Sequence, residues 1–337
     1  MYYLIGICIS LAAFFAANAA GSLVTAGAWR ILRPLAHKLS PAARTDLIFA
    51  LRTIPSALAL ACVATLLLPA YFKYEPAHAE ESVSFKLALL ALVSAAGFGL
   101  AAWHAAASFV ATRRVRRGLM RRAAPLELPG VRVPAFTVEH HLPLIAVVGV
   151  CRPRLFVASH LFDVLGTDEI SAAIAHELGH ISARDNLKRT LMHVCRDVLP
   201  YAPYARRLER EWAAQSESAA DEFAARAGGA QAAISLASTI VKIARLMPET
   251  GIRETSAAIA MLVDGEAGVA QRVDRLLAFA DATTGVEGDA RSHNHLVRHV
   301  ATLSYLLILL STILLATQHD VTRTLYAALE HVISALS

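Results

Sequence analysis

Hydrophobic and polar positions alternate along this chain in two rhythms. Four blocks, about residues 2–29, 53–72, 87–112 and 300–318, run apolar without a formal charge. A hydrocarbon core takes about 20 such residues, so each block predicts a transmembrane helix. The first block has no basic residue ahead of it, which fits an uncleaved span better than a signal peptide. Between residues 113 and 299 the rhythm shortens. Runs at 131–138, 142–150 and 155–159 are β-branched or apolar and are broken by Pro134, Pro143, Gly149 and Pro153; they predict a small antiparallel sheet or hairpin. From Thr167, a plausible N-cap, the apolar positions Ile170, Ile174 and Leu178 recur at helical spacing, with Asp168 and Glu169 in the first turn. This helix is expected to continue towards Leu199 and stop at Pro200. A second helix is expected over about 205–227, ended by Gly228 and Gly229. Leu325, Leu329 and Ile333 predict a short amphipathic helix in the tail, resting on the outer membrane face or on a partner.

The expected fold class is therefore mainly α: a polytopic membrane protein with four transmembrane helices and a separate domain, helical with a small β-sheet. The expected division is 1–112 for three spans, 113–299 for the domain, 300–318 for the fourth span and 319–337 for a short tail. Composition agrees. Of 337 residues, 56% are hydrophobic and 18% charged, and mean hydropathy is +0.48; a soluble domain carries about 25% charged residues. Disordered, collagen-like and disulfide-scaffold classes are excluded. Cys8, Cys62, Cys151 and Cys195 form no CxxC pair and read as free buried thiols.

The net charge of +5 has an address. Arg30, Arg33, Lys38, Arg44 and Arg52 follow the first span, and Arg113, Arg114, Arg116, Arg117, Arg121 and Arg122 follow the third. The positive-inside rule then places the domain in the cytoplasm and both termini outside the cell membrane. The arginine cluster reads as a topology anchor that favours anionic membrane lipids, and no direct nucleic-acid binding is expected from it. Within the spans, Asn18 and His104 read as helix-packing contacts.

The domain carries a chemical motif, His176-Glu177-Leu178-Gly179-His180. Spacing i, i+4 puts both imidazoles on one helical face, where they can share a tetrahedral Zn²⁺, and Glu177 is rotated away so that it can serve as the catalytic base. Ile174, Ala175, Leu178 and Ile181 surround the motif, so unpaired polar groups there would be costly to bury. The second helix offers Glu217 and Asp221, again one turn apart. Glu217 can supply a third ligand and Asp221 can accept a hydrogen bond from a ligand histidine. Ala213, Ala214, Ala219 and Ala220 would allow the two helices to approach closely. One Zn²⁺ per chain is the expected cofactor. His160, His293, His295 and His299 are candidates for the oxyanion donor. The run Leu155, Phe156, Val157, Ala158 and Ser159 has two readings: a plain core strand, or the strand to which an extended substrate adds.

These residues resemble a known family. Arg152-Pro153-Arg154-Leu155-Phe156-Val157, then His176–His180, Arg184-Asp185-Asn186 and Glu217–Asp221, look like the BlaR/MecR-type integral membrane zinc peptidases. The resemblance implies a cytoplasmic gluzincin-type protease domain, with three spans before it and one after. It implies His176, His180 and Glu217 as zinc ligands, Glu177 as catalytic base, and a structural role for Asp185, such as a salt bridge. It further implies a bacterial inner-membrane endopeptidase in signal transduction, whose partner is a cytoplasmic protein substrate such as a transcriptional repressor. The antibiotic sensors carry a penicillin-binding domain after the last span, where only residues 318–337 follow here, so direct β-lactam sensing is not expected. Two alternatives stand beside this reading: an HtpX-like membrane quality-control protease, and a non-catalytic membrane receptor or scaffold that retains the zinc fold. The sequence does not speak to oligomeric state.

Overall fold

The computed structural model describes residues 2–75, 83–198, 203–246, 265–283, 303, 306–307 and 309–336. Helices α1 (Tyr2–Ala36) and α2 (Pro41–Cys62) are joined by a tight turn. Ser40 caps α2 by accepting from the Ala43 N–H, with Pro41 in the first helical position. A π-helical turn, Val63–Leu67, leads into α3 (Leu68–Tyr74); Pro69 lacks the N–H that would continue a regular ladder, and the axis adjusts there. Helix α4 (Phe85–Met120) starts at Ser84, whose hydroxyl accepts from Leu87.

A sheet follows, with strands β1 (Ala123–Leu126), β2 (Ala135–Val138), β3 (Ile145–Val148) and β4 (Arg154–Ala158) in the order β1-β2-β4-β3. The sheet is mixed: β2 and β4 run parallel, while the outer pairs are antiparallel. The purely antiparallel arrangement expected from the hydrophobic runs is thus corrected. Strand β1 has no apolar alternation to betray it, and its Pro125 is tolerated because the strand lies at an edge. The remaining elements are the short helix α5 (Leu161–Val164), α6 (Thr167–Ala183), α7 (Asp185–Val198), α8 (Pro203–Leu246), α9 (Gly265–Thr283) and α10 (His319–Leu336). In α10 the expected tail helix is present; Tyr326 donates to Glu75 beyond α3, and Tyr74 meets Thr322.

Three helix boundaries differ from the sequence expectation. The N-cap is Gly166 rather than Thr167, and Glu169 reaches back to the Gly166 N–H at 2.8 Å. The expected long helix divides at Arg184, whose left-handed backbone (φ 56°) ends α6 and starts α7 on a new axis. Gly229 (φ 67°) does break the following helix, as its glycine pair suggested, but the chain resumes helical geometry and α8 extends to Leu246.

Four described helices are long and apolar enough to cross a membrane: Tyr2–Ala36, Pro41–Tyr74, Phe85–Met120 and Arg206–Leu246. The first three contain the expected spans and leave Leu23, Val24, Leu92 and Trp103 exposed, as lipid contact requires. The fourth is apolar for another reason. Its Ala224, Ala225, Ala233, Leu236, Ala237 and Ile240 are buried against α6 and α9, making a protein core. The expected fourth span at 300–318 lies partly outside the described residues; 309–317 is helical, with Leu309, Leu310 and Leu314 exposed.

The domain after α4 is not strung below the apolar helices but wedged into them. Val198, at the end of α7, packs against Phe14, Ala59 and Ala101. A Cβ on Gly97 would stand 2.5 Å from the Val198 carbonyl oxygen, so glycine is what lets α7 touch α4. Met192, Leu208 and Trp212 pack with Trp29 and Ile48. Thus α7 and the start of α8 form a hairpin inserted among α1, α2 and α4. Basic residues of the first loop serve this contact: Arg44 donates to Gln215, Arg33 faces Glu211, and Arg52 faces Glu209. Asn18 accepts from Ser56 between α1 and α2, a packing contact as expected. The thiols are free, but none is buried as expected: Cys8, Cys62 and Cys195 are half-buried and Cys151 is exposed.

Candidate metal centre

Helix α6 presents His176 and His180 on one face, and α8 brings Glu217 opposite them. The approach depends on Gly179, between the two histidines: a Cβ there would lie 3.1 Å from the Ala220 Cα and 3.3 Å from Phe223. With no side chain at 179, the helices cross closely and Glu217 and Asp221 flank the crossing point. His176 Nε2 and His180 Nε2 are 3.2 Å apart, and each is 3.5 Å from a Glu217 carboxylate oxygen.

Carboxylates stand behind both rings. Asp221 Oδ1 lies 2.9 Å from His176 Nδ1, and Asp185 Oδ2 lies 2.8 Å from His180 Nδ1. The turn at Arg184 is what swings Asp185 back to His180, and Ser216 steadies it by donating to the same oxygen at 2.6 Å. Arg272, from α9, grips Asp221 through two hydrogen bonds of 2.8 and 2.7 Å and approaches Glu217 Oε2 at 3.3 Å. Asp185, Asp221 and Arg272 are buried.

The donor set fits a zinc ion. Carboxylates behind both Nδ1 atoms hold the protons on that side, so both Nε2 lone pairs turn inward beside the Glu217 carboxylate. With both rings neutral, three lone-pair donors converge, and Glu217 Oε2 is met only by the Arg272 guanidinium at 3.3 Å, without a formal hydrogen bond. Tetrahedral zinc with bonds of about 2.0–2.1 Å would hold its ligand atoms roughly 3.3 Å apart, close to the separations found. Of the described residues, only His176, His180 and Glu217 form a group of three or more metal-type ligands with atoms this close, all within 4.8 Å of one another.

Electrostatics point the same way. Burial disfavours a charged His176, yet contacts with Asp221 and Glu217 win and push its pKa up to about 10. Burial likewise opposes ionisation of Glu217, but His176, His180 and Arg272 hold it well below the usual carboxylate range. Asp221 is also held far down: Arg272 and His176 outweigh its burial. The pocket is built to keep positive charge at its centre. Glu177 differs, because burial raises its pKa and dominates the opposing histidines.

Glu177 Oε2 accepts the Val147 N–H at 3.1 Å, on the free edge of β3. Asn186 donates to Val147 O at 3.4 Å and Gly149 O at 3.1 Å. A cavity of about 50 Å³ joins these residues to the histidines and to Asp185, Arg189 and Glu217. Arg189 stacks over Trp212 at 5.7 Å and is the cationic side chain that lines this cleft.

The expected residues Glu177, His176, His180, Glu217, Asp221 and Asp185 are thus brought together in one site. Leu155, Phe156, Val157, Ala158 and Ser159 are not. Strand β4 lies between β2 and β3 with both edges paired, and Leu155–Ala158 are fully buried, so this run is a core strand and cannot accept a substrate strand. The edge beside the site belongs to β3. Of the oxyanion candidates, His293, His295 and His299 lie outside the described residues, and His160 lines a separate hollow with His140 and His141. Sequence reasoning missed Arg272, Arg189 and Asn186. Asn186 stood inside the quoted run Arg184-Asp185-Asn186 without a role, whereas Arg272 lies on a helix without any motif and 51 residues from its partner.

Residues 111–205 match the family model described as Peptidase family M48. The matched part holds the sheet, α6 and α7, hence both histidines and Glu177, and ends before Glu217 and Asp221. No curated protein matches the chain. The family match and the apolar helices together support a membrane metallopeptidase.

Proposed function

We propose that this protein is a membrane-embedded zinc endopeptidase that cleaves a cytoplasmic protein, with a transcriptional repressor as the substrate type and signal transduction as the setting. The observation that carries the peptidase reading is the convergence of two imidazoles and a carboxylate beside a buried glutamate on the free edge of a strand. His176, His180 and Glu217 would hold one Zn²⁺ per chain. Bound there, zinc supplies Lewis-acid polarisation of the scissile carbonyl and lowers the pKa of a water towards about 7.

The chain's own residues supply the rest. Glu177, disposed by burial to bind a proton, takes one from the attacking water and passes it to the leaving amine. Asp185 and Asp221 fix the orientation of the two rings, and Arg272 fixes Asp221. The free edge of β3 aligns an extended peptide by main-chain hydrogen bonds. Arg189, in the same cleft, is placed to donate to the developing oxyanion.

The resemblance implies a bacterial inner membrane, and the distribution of basic residues supports a site on the cytoplasmic side with both termini outside. A second reading has an observation of its own. The family match speaks to peptide hydrolysis alone, and a quality-control protease acting on misfolded membrane proteins needs nothing more.

The test compares wild type with Glu177→Gln in membranes, following fragments by mass spectrometry and zinc by elemental analysis. Cleavage should fall by about 10²–10⁴-fold with zinc retained. Identical fragments from both proteins would refute the reading. One site in one substrate favours signalling, whereas many fragments from unfolded proteins favour quality control.

A further inference from the structure

Strand β3 is paired on one side only. In its ladder with β4, Val147 lies opposite Leu155, while the Ala158 N–H bonds to Leu144 O. Alternation then turns the N–H and C=O of Val147 away from β4, towards the metal cleft. An unpaired edge residue would normally present both groups to solvent or to an incoming strand. Here both are taken by side chains: Glu177 accepts the Val147 N–H, and Asn186 donates to the Val147 carbonyl and, with the same amide nitrogen, to the Gly149 carbonyl. One side chain plays the acceptor of a neighbouring strand and the other plays its donor.

We infer that Glu177 and Asn186 are placeholders for substrate on the edge of β3, and that an extended peptide binds by displacing both of them from Val147. A peptide residue opposite Val147 in an antiparallel pair exchanges both main-chain hydrogen bonds with it. Its carbonyl takes the Val147 N–H, and its own N–H replaces the Asn186 amide, which keeps its bond to Gly149. Two consequences follow. The residue opposite Val147 must have an N–H, so proline is rejected at that register. Glu177 also loses its donor only when a peptide is in place, so the carboxylate is released for its proton-transfer role as the substrate docks. Asn186 is thereby a positioning and specificity residue. The inference rests on the peptidase reading for its biological meaning, but the exchange is a binding event and is tested without hydrolysis.

The experiment uses the full chain in detergent, stripped of metal with a chelator, and a fluorescein-labelled ten-residue peptide of alternating Val and Thr. Anisotropy gives its dissociation constant for wild type, Asn186→Ala, Asn186→Asp and Glu177→Ala. Each substitution removes a competitor worth about 1 kcal/mol, so each variant should bind the peptide roughly three- to tenfold more tightly. The same peptide methylated at every backbone nitrogen should not bind any of the four. Unchanged or weaker binding by folded Asn186 variants, with a lowered melting temperature, would make Asn186 a structural clamp and overturn the inference. Equal binding of the methylated peptide, or no saturable binding to any form, would overturn it as well. Asn186→Asp keeps the side-chain volume and so remains informative if Asn186→Ala fails to fold. Tighter binding by these variants together with no loss of cleavage in Glu177→Gln would retire the peptidase reading and leave the exchange standing.

Discussion

Two clusters of polar side chains sit on the α7–α8 hairpin, and they are built on opposite principles. Where the hairpin enters the apolar helices, charges are closed on each other: Glu209 meets Arg196 at 3.1 Å and Arg52 at 4.0 Å, and Lys188 meets Asp46 at 2.6 Å. At the metal centre, closure stops one shell short. Asp185 and Asp221 are satisfied by histidine, serine and arginine, but in the innermost ring of two Nε2 atoms and one carboxylate only Glu217 Oε2 meets an outside partner, Arg272 at 3.3 Å, and the two Nε2 atoms face each other and the carboxylate. The comparison separates charge that holds the fold from charge that awaits a ligand.

The largest expected effect breaks this comparison directly. Glu217→Gln should weaken zinc binding by more than the 10–100-fold typical of losing a supporting residue behind a ligand, read by competition with a colorimetric chelator. Glu209→Gln has the same chemistry in the other cluster. It leaves Arg52 and Arg196 without their shared anion and should lower stability in detergent by about 3 kcal/mol, with zinc affinity unchanged. If the two substitutions exchange these phenotypes, the separation of roles is wrong.

A smaller effect sharpens the link between packing and site. Gly179→Ala places a methyl group 3.1 Å from Ala220 Cα, against backbone that cannot rotate away. Overpacking of this kind costs about 1–3 kcal/mol, and the strain is relieved by parting α6 from α8, which draws Glu217 away from both histidines. Thermal unfolding should shift down and zinc affinity should drop with it. A loss of stability with unchanged zinc affinity would show that the ligands do not depend on this crossing.

Legibility in the sequence followed the range of the interactions. The apolar blocks and the i, i+4 pairs His176/His180 and Glu217/Asp221 are local patterns, and the first three apolar helices, the first turns of α6 and the ligand cluster stand where those patterns put them. Arg184 is the instructive local failure: no residue rule predicts a left-handed arginine, yet without that turn Asp185 would continue along α6 instead of folding back on His180. Arg272 and the Gly97–Val198 contact are long-range, created only when α9 and α7 dock, and no periodicity reports them. Strand order is non-local too, so the hydrophobic run Leu155–Ala158 showed a buried strand but could not show that β3, no less apolar at Ile145–Val148, would be the edge strand beside the site.

The smallest expected effect concerns the far end of α6, where charge is closed in the manner of the hairpin cluster. Glu169 accepts from the Gly166 N–H, Ser238 and Lys242 at 2.6–2.8 Å. Its burial opposes ionisation, but Lys242, Ser238 and the backbone donor outweigh this and hold the carboxyl below its ordinary 4.5. A depressed folded-state pKa stabilises the protein above the unfolded value, and that contribution is lost as pH falls through the folded value. Lys242 is partly exposed and screened, so Glu169→Gln should cost only about 1 kcal/mol at neutral pH. The difference in melting temperature between wild type and variant should shrink as pH drops from neutral to below 4.5, while zinc binding at neutral pH stays the same. A gap that widens with acidification would mean that Glu169 is protonated in the folded protein. The start of α6 would then depend on a neutral hydrogen bond rather than on closed charge.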